Sequence, residues 1–208
     1  MRAGLATALL AVALPALAGA QKEEQLSQSV VNGLTKSIAD APVPADYASR
    51  PEVERWVSEM SRRIAHKVDS DRERRELLAT THYESMRAGL DPQMVLAVIY
   101  HESGFKKYAV SSAQARGYMQ VMPFWVKQIG APDHNLFNLR TNLRYGTVIL
   151  RHYLDIEGGD YYRALGRYNG SLGQPEYPAA VLAALNRHFQ YGSLPPAAIS
   201  TVGVSVPR

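Results

Sequence analysis

A chain of 208 residues is long enough for one ordinary domain with flanking segments. Its 46% hydrophobic and 20% charged residues describe a globular chain, and a net charge of +4 with no dense Lys/Arg cluster gives no footing for nucleic-acid binding. The absence of cysteine excludes disulfides and thiolate metal sites, and the six histidines show no HExxH-type spacing, so neither a metal nor a cofactor is expected.

The first residues read as a targeting segment. Arg2 is followed by a mainly apolar, uncharged run from Ala3 to Leu17, then by small residues at Ala18-Gly19-Ala20. The run is short for a membrane span and has no charged stop-transfer flank. Residues 1–20 are therefore expected to be a cleaved secretory signal, with Gln21 as the new N-terminus and a periplasmic destination. No Cys follows the cleavage point, which argues against an acylated anchor.

Residues 21–50, with Pro42, Pro44 and several Ala and Ser, show little periodicity and are expected to be a spacer or weakly ordered lead-in, with a short helix possible around Ser27–Ala39. After Pro51, apolar residues Val53, Trp56, Val57, Met60 and Ile64 recur on one helical stripe. The charged run from Asp69 to Glu76 opens a second predicted helix, with Leu77, Leu78 and Met86 as its buried positions.

Gly89-Leu90-Asp91-Pro92 is a strong boundary, since Asp91 suits a helix N-cap and Pro92 the first helical position. The helix that follows is apolar almost all round, and Val95, Val98, Ile99 and Glu102 share one face. Glu102 is the only acidic residue between Pro92 and Pro132. A carboxylate on a core-facing stripe is costly to ionise, so it can hold a proton near neutrality and serve as a general acid; a Glu fraying from a helix end is the bland alternative. Gly104 can end this helix. After a Ser-, Ala- and Lys-rich loop, Gly117 permits a tight turn before a segment Met119–Ile129 that carries Pro123 near its first turn.

Further helices are predicted over Thr141–Asp155, with Asn142, Gly146, Ile149, Leu150 and Tyr153 on one face, then through Tyr161, Ala164, Leu165 and Tyr168 to a stop at Asn169-Gly170, and last through Val181, Leu182, Leu185 and Phe189. No stretch alternates with period two. The expectation is a single all-α domain of about seven helices over residues 51–191, with a loose tail over 192–208.

One protonated carboxylate suits protonation of a glycosidic oxygen. A conventional glycosidase also needs a second carboxylate, about 5–5.5 Å away for retention or about 6.5–9.5 Å for inversion. The local motif has none; Asp155, Glu157 and Asp160 could approach only through tertiary folding. Attack by a hydroxyl of the substrate itself would let one Glu act first as acid and then as base.

Four motifs carry a more specific likeness: Glu102-Ser103-x-Phe105, Gly117-Tyr118-Met119-Gln120-Val121-Met122-Pro123, Asn142-x-x-x-Gly146 and Tyr168-Asn169-Gly170. In order and approximate spacing they resemble the soluble lytic transglycosylases, with a lysozyme-like catalytic domain of the goose-lysozyme type. The match is clear from Leu90 to Gly170 and extends plausibly from Pro51 to Tyr191. The resemblance implies cleavage of the MurNAc–GlcNAc β-1,4 bond of peptidoglycan glycan strands, with attack by the MurNAc C6 hydroxyl to leave 1,6-anhydro ends. It makes Glu102 the catalytic acid/base and Tyr168 a second catalytic-site residue, whose hydroxyl on Glu102 would orient the acid and tune its pKa. Ser103, Gly117, Met119, Gln120 and Asn169 would line the substrate site. Met119 also suits plain core filling, Ser103 a helix cap, and Asn169-Gly170 a helix-ending turn.

The sequence departs from that pattern at Tyr118, where Leu is usual, at Arg167, where Ala is frequent, and at Gly170-Ser171, where a small residue and then Gly is usual. These departures bear on which sugars and stem peptides the cleft prefers. The other readings are a hydrolytic muramidase, with water as the attacking group, and a non-catalytic peptidoglycan-binding or secretion-associated protein. General wall turnover and local wall opening for a secretion or conjugation apparatus both fit, with the chain acting as a monomer.

Overall fold

The structure is a computed structural model that describes residues 21–39 and 43–192, so the expected signal segment and nearly all of the expected tail lie outside the described residues. Eight α-helices follow one another: α1 (Gln28–Ile38), α2 (Pro51–Ile64), α3 (Asp71–Arg87), α4 (Pro92–Glu102), α5 (Phe124–Ile129), α6 (Leu139–Ile156), α7 (Tyr161–Asn169) and α8 (Glu176–Ala184). A short 3-10 turn, Tyr47–Ser49, precedes α2, and a π turn, Leu185–Phe189, continues α8. The described residues form no strand, only isolated bridges that tie Arg116 to Val110 and to Val121. The fold is all-α, as the periodicity predicts.

Local chemistry accounts for where the helices begin. Ser70, Asp91, Asn138 and Asp160 each cap a helix, their side-chain oxygens accepting backbone N–H bonds from Glu73, Gln93, Thr141 and Arg163. Pro92 stands at the first position of α4, where its missing N–H costs nothing. Gly170 closes α7 in the left-handed conformation at φ 77°, which brings the Ser171 N–H back onto the Gly166 carbonyl at 2.8 Å.

α4 is the axis of the domain. Pro92 through Ile99 are all buried, and α3, α8 and the π turn pack around it. Such a helix cannot face water on any side, which is why its sequence carries no polar stripe. α6 packs against α3 on one side and α7 on the other.

Three expectations need correction. Residues 21–50 are no mere spacer: α1 packs on α5 and α6, with Leu34 and Ile38 in the core, and Gln21 is itself buried. Met86 is 57% exposed, because it lies nine positions beyond Leu77, half a turn round the helix from the buried face. That face is continued by Glu84 and Ser85. The segment predicted as Met119–Ile129 is helical only from Phe124; residues 119–122 form a turn.

Glu84 can sit in the core because it is paired. Arg144 of α6, also buried, reaches it through two parallel bonds of 2.7 and 3.1 Å and donates a further bond to the Ala39 carbonyl at 3.2 Å. The pair locks α3, α6 and the end of α1 into one register. Removing one partner of such a pair strands a buried charge. Arg144→Ala is expected to lower unfolding free energy by about 3–5 kcal/mol in urea denaturation, and the double variant Glu84→Leu/Arg144→Met to recover most of that loss.

Candidate active site

Glu102 closes the last turn of α4, on the same face as Val95, Val98 and Ile99, each of which is 0% exposed. The residue is 9% exposed, and loss of water raises the pKa of its carboxyl from 4.5 to about 8. The C-terminal end of a helix, with its unpaired carbonyls, adds no stabilisation to an anion. The opposing influence is Tyr177, whose buried hydroxyl donates to Glu102 Oε1 at 2.5 Å. A bond from a phenol favours the ionised carboxylate, but burial outweighs it. Glu102 is thus protonated at neutral pH.

No other carboxylate contributes to that balance among the described residues. The three acidic candidates for a second catalytic group are engaged elsewhere. Asp155 pairs with Arg151, Glu157 with Arg163 and Arg167, and Asp160 caps α7.

The 117–122 turn is built against α6 and α7. Asn142 holds it from three directions: its Oδ1 accepts from the Met119 N–H at 2.8 Å, and its Nδ2 donates to the carbonyls of Arg116 and Leu136, each at 2.8 Å. Gly117 adopts φ 73° under that amide, and a Cβ there would stand 2.4 Å from Asn142 Nδ2. Gly146, one turn further along α6, leaves room for Met119; a Cβ there would meet the Met119 sulfur at 2.3 Å. Asn142 and Gly146 therefore act as packing elements and place the Met119 backbone.

Tyr168, wholly buried on α7, donates its hydroxyl to the Met119 carbonyl at 2.7 Å. The bond to Glu102 that the resemblance implies for Tyr168 is made instead by Tyr177, although Tyr168 lies within electrostatic reach of Glu102. Ser103 caps α4 and donates to the Tyr118 carbonyl at 2.8 Å, tying the acid's helix to the turn.

The turn directs its Met119 and Gln120 side chains inward, Met119 taking the core-filling alternative. Met119 is 0% exposed and fills the core, so its contribution is its backbone. Gln120, at φ 47°, spends its side-chain N–H groups on the carbonyls of Ala109 (3.1 Å) and Gly117 (2.9 Å). Those donors brace the turn and are not turned toward a sugar.

Asn169 keeps a donor that is left over. It is 4% exposed and its Nδ2 has no partner within the protein, nor has the hydroxyl of Ser171. Both border a cavity of about 480 Å³ whose other walls include His101, Gln174, Glu176 and Tyr177. Tyr177 thus touches both the cavity and the acid.

Sequence reasoning missed Tyr177. Its signal was a stripe: Tyr177, Val181 and Ala184 lie at i, i+4 and i+7 and are the buried face of α8. Extending the predicted last helix one turn back from Val181 reaches it, past Pro178 in the first turn. Nothing in that stripe points to Glu102. Among the departures, Tyr118 is buried with its phenol raised to about 12 by desolvation, and Arg167 pairs with Glu157 and with Glu24. Arg116 stands over the Phe137 ring.

The described residues thus form an all-α domain that buries Glu102, with its proton retained, at the end of its central helix. Residues 80–177 match the family model of the transglycosylase SLT domain. It is 30% identical over 128 residues to a protein named transglycosylase from Enterobacteria phage PRD1, covering 58% of this chain and 46% of that protein. It is 33% identical over 115 residues to a membrane-bound lytic murein transglycosylase C from Actinobacillus pleuropneumoniae, covering 48% of this chain and 32% of that protein. The chain thus spans less than half the length of these curated relatives. Glu102 and its surroundings fall inside the matched domain.

The Glu102 pKa has a consequence for stability. The unfolded chain releases this proton near pH 4.5 and the folded chain keeps it to about pH 8, so folding takes up a proton between those values and stability falls as pH rises through that window. The loss is about 1.4 kcal/mol for each pH unit crossed. Glu102→Gln keeps the shape without the titration. Its thermal midpoint is expected to exceed that of the wild type at pH 9 and to approach it at pH 5, as read by calorimetry.

Proposed function

We propose that this protein is a periplasmic peptidoglycan lytic transglycosylase in which Glu102 serves as the single acid and then base. The observation that carries the reading is a buried Glu102, protonated near neutrality, with no second carboxylate bearing on it among the described residues. The SLT domain match and the names of its relatives support the same class.

The chemistry follows from that arrangement. Glu102 gives its proton to the bridging oxygen of the MurNAc–GlcNAc β-1,4 bond as that bond breaks, and becomes a carboxylate. The electron-poor anomeric carbon is stabilised while the MurNAc C6 hydroxyl closes on it, and Glu102 takes the hydroxyl proton back. The product is a 1,6-anhydro end, with no water consumed and the acid restored. In the carboxylate stage the Tyr177 hydroxyl supplies a charge-assisted bond to Oε1, which keeps the basic form accessible despite its burial. Asn169 and Ser171 offer donors to oxygen atoms of a sugar in the adjoining cavity. The expected signal segment delivers the enzyme to the periplasm, where glycan strands are the partner.

Mass analysis of fragments released from purified peptidoglycan tests the reaction: 1,6-anhydro ends are expected, and reducing ends alone would identify a muramidase. Glu102→Gln should lower turnover at least about a thousandfold while leaving glycan binding intact, and wild-type turnover by this variant would remove Glu102 from the mechanism. The rate should fall above about pH 8, where the acid is lost. Since the Tyr177 bond lowers the Glu102 pKa, Tyr177→Phe should move this alkaline limb to higher pH and reduce kcat, because the carboxylate stage loses its donor. A limb that stays in place would separate Tyr177 from Glu102 ionisation.

A further inference from the structure

Gln21 stands outside the matched domain, immediately after the expected signal segment, yet it is only 4% exposed. Its side-chain oxygen accepts from the Met122 N–H and from the Trp125 indole N–H, each at 3.1 Å. Its side-chain nitrogen donates to the Gln120 carbonyl at 3.3 Å, and the amide also bears on the buried Tyr168 hydroxyl. One amide therefore joins the turn, α5 and α7. The chain leaving it is fastened as well: Gln128 donates to the Glu24 carbonyl at 3.2 Å, and the Glu24 carboxylate pairs with Arg167 at 3.6 Å.

The turn that Gln21 grips is strained. Gln120 adopts φ 47°, a left-handed conformation that a non-glycine residue keeps only when its surroundings hold it. Gln120's own side chain braces the turn from the side of Ala109 and Gly117, and Asn142 holds Met119. Gln21 supplies the remaining clasp, on the Gln120 carbonyl and the Met122 N–H. The Met119 carbonyl in that turn receives the Tyr168 hydroxyl, so the clasp and the site share one hydrogen-bonded chain.

We propose that Gln21 is a positioning residue of the transglycosylase site, an N-terminal clasp that holds the Met119–Met122 turn in register with Tyr168 and so with Glu102. This rests on the function proposed above. It assigns a role in the active site to a segment that precedes the catalytic domain in sequence.

Three variants of the full chain, purified with the N-terminus defined by mass spectrometry, test it on solubilised glycan strands. Gln21→Met keeps length and removes every polar contact; kcat is expected to drop about tenfold or more with KM changed less than about threefold, since a small displacement of a catalytic group costs rate before binding. Gln21→Glu keeps the acceptor but can donate to the Gln120 carbonyl only when protonated. Its activity should approach that of wild type at acid pH and fall away well below the wild-type alkaline limb. Gln21→Asn, which keeps both amide functions on a shorter arm, should recover part of the lost kcat.

Circular dichroism at the assay temperature reports the folded fraction. A loss of rate that merely follows that fraction, or a Gln21→Met variant with kcat within about twofold of wild type, would overturn the clasp. A wild-type protein that releases no fragment would instead overturn the transglycosylase reading, and the positioning role with it. An active wild type beside an indifferent Gln21→Met would overturn the positioning role alone.

Discussion

Desolvation of one carboxylate is the constraint around which this molecule is arranged. Burying Glu102 at the end of α4 makes its ionised form expensive, and the expense is what gives the protein an acid that still holds its proton at about pH 8. The neighbouring elements can be understood as answers to that condition. α4 must be apolar on all sides to keep water out, and its one polar escort is the Tyr177 phenol. The second carboxylate of an ordinary glycosidase would change the balance through its charge, and the acidic residues of α6, α7 and their connection are held by arginines or by a helix cap.

Around this acid the protein builds rigidity out of backbone hydrogen bonds. Asn142 satisfies one N–H and two carbonyls of an irregular loop, Ser103 ties α4 to the same loop, and Tyr168 seals the Met119 carbonyl. A buried loop without strands or helices has to find partners for its polar groups, and these side chains are the partners. The loop is consequently held at several points, and the Met119 and Gln120 side chains are consumed internally. This leaves Asn169 and Ser171, which border the cavity, with buried polar groups that have no partner within the protein.

Much of this was legible from residue pattern. The stripes on α2, α4, α6 and α7 follow from a period of 3.6 residues, and Asp91-Pro92 and Asn169-Gly170 mark helix ends by their own stereochemistry. The same logic put Glu102 on the core-facing side. It misjudged Met86, because hydrophobicity suggested burial where helical geometry and a distant arginine gave the place to Glu84. It also undervalued residues 21–50, since a short amphipathic helix gains its stability from the surfaces of α5 and α6 and not from its own sequence.

What the sequence determined by itself is therefore the all-α architecture, the core-facing position of Glu102 and the motifs within the stretch that matches an SLT domain, because each depends on neighbours within a few turns of chain. What only the tertiary structure decided is which hydroxyl meets Glu102, which amide donors are spent and which have no partner, and that Gln21 reaches the Met119–Met122 turn. Tyr177 is 75 residues from Glu102 and Gln21 is 99 from Gln120. Contacts across such distances are fixed by packing of whole helices, where a hydrogen bond is chosen by a shift smaller than one side chain, and no local pattern encodes that choice.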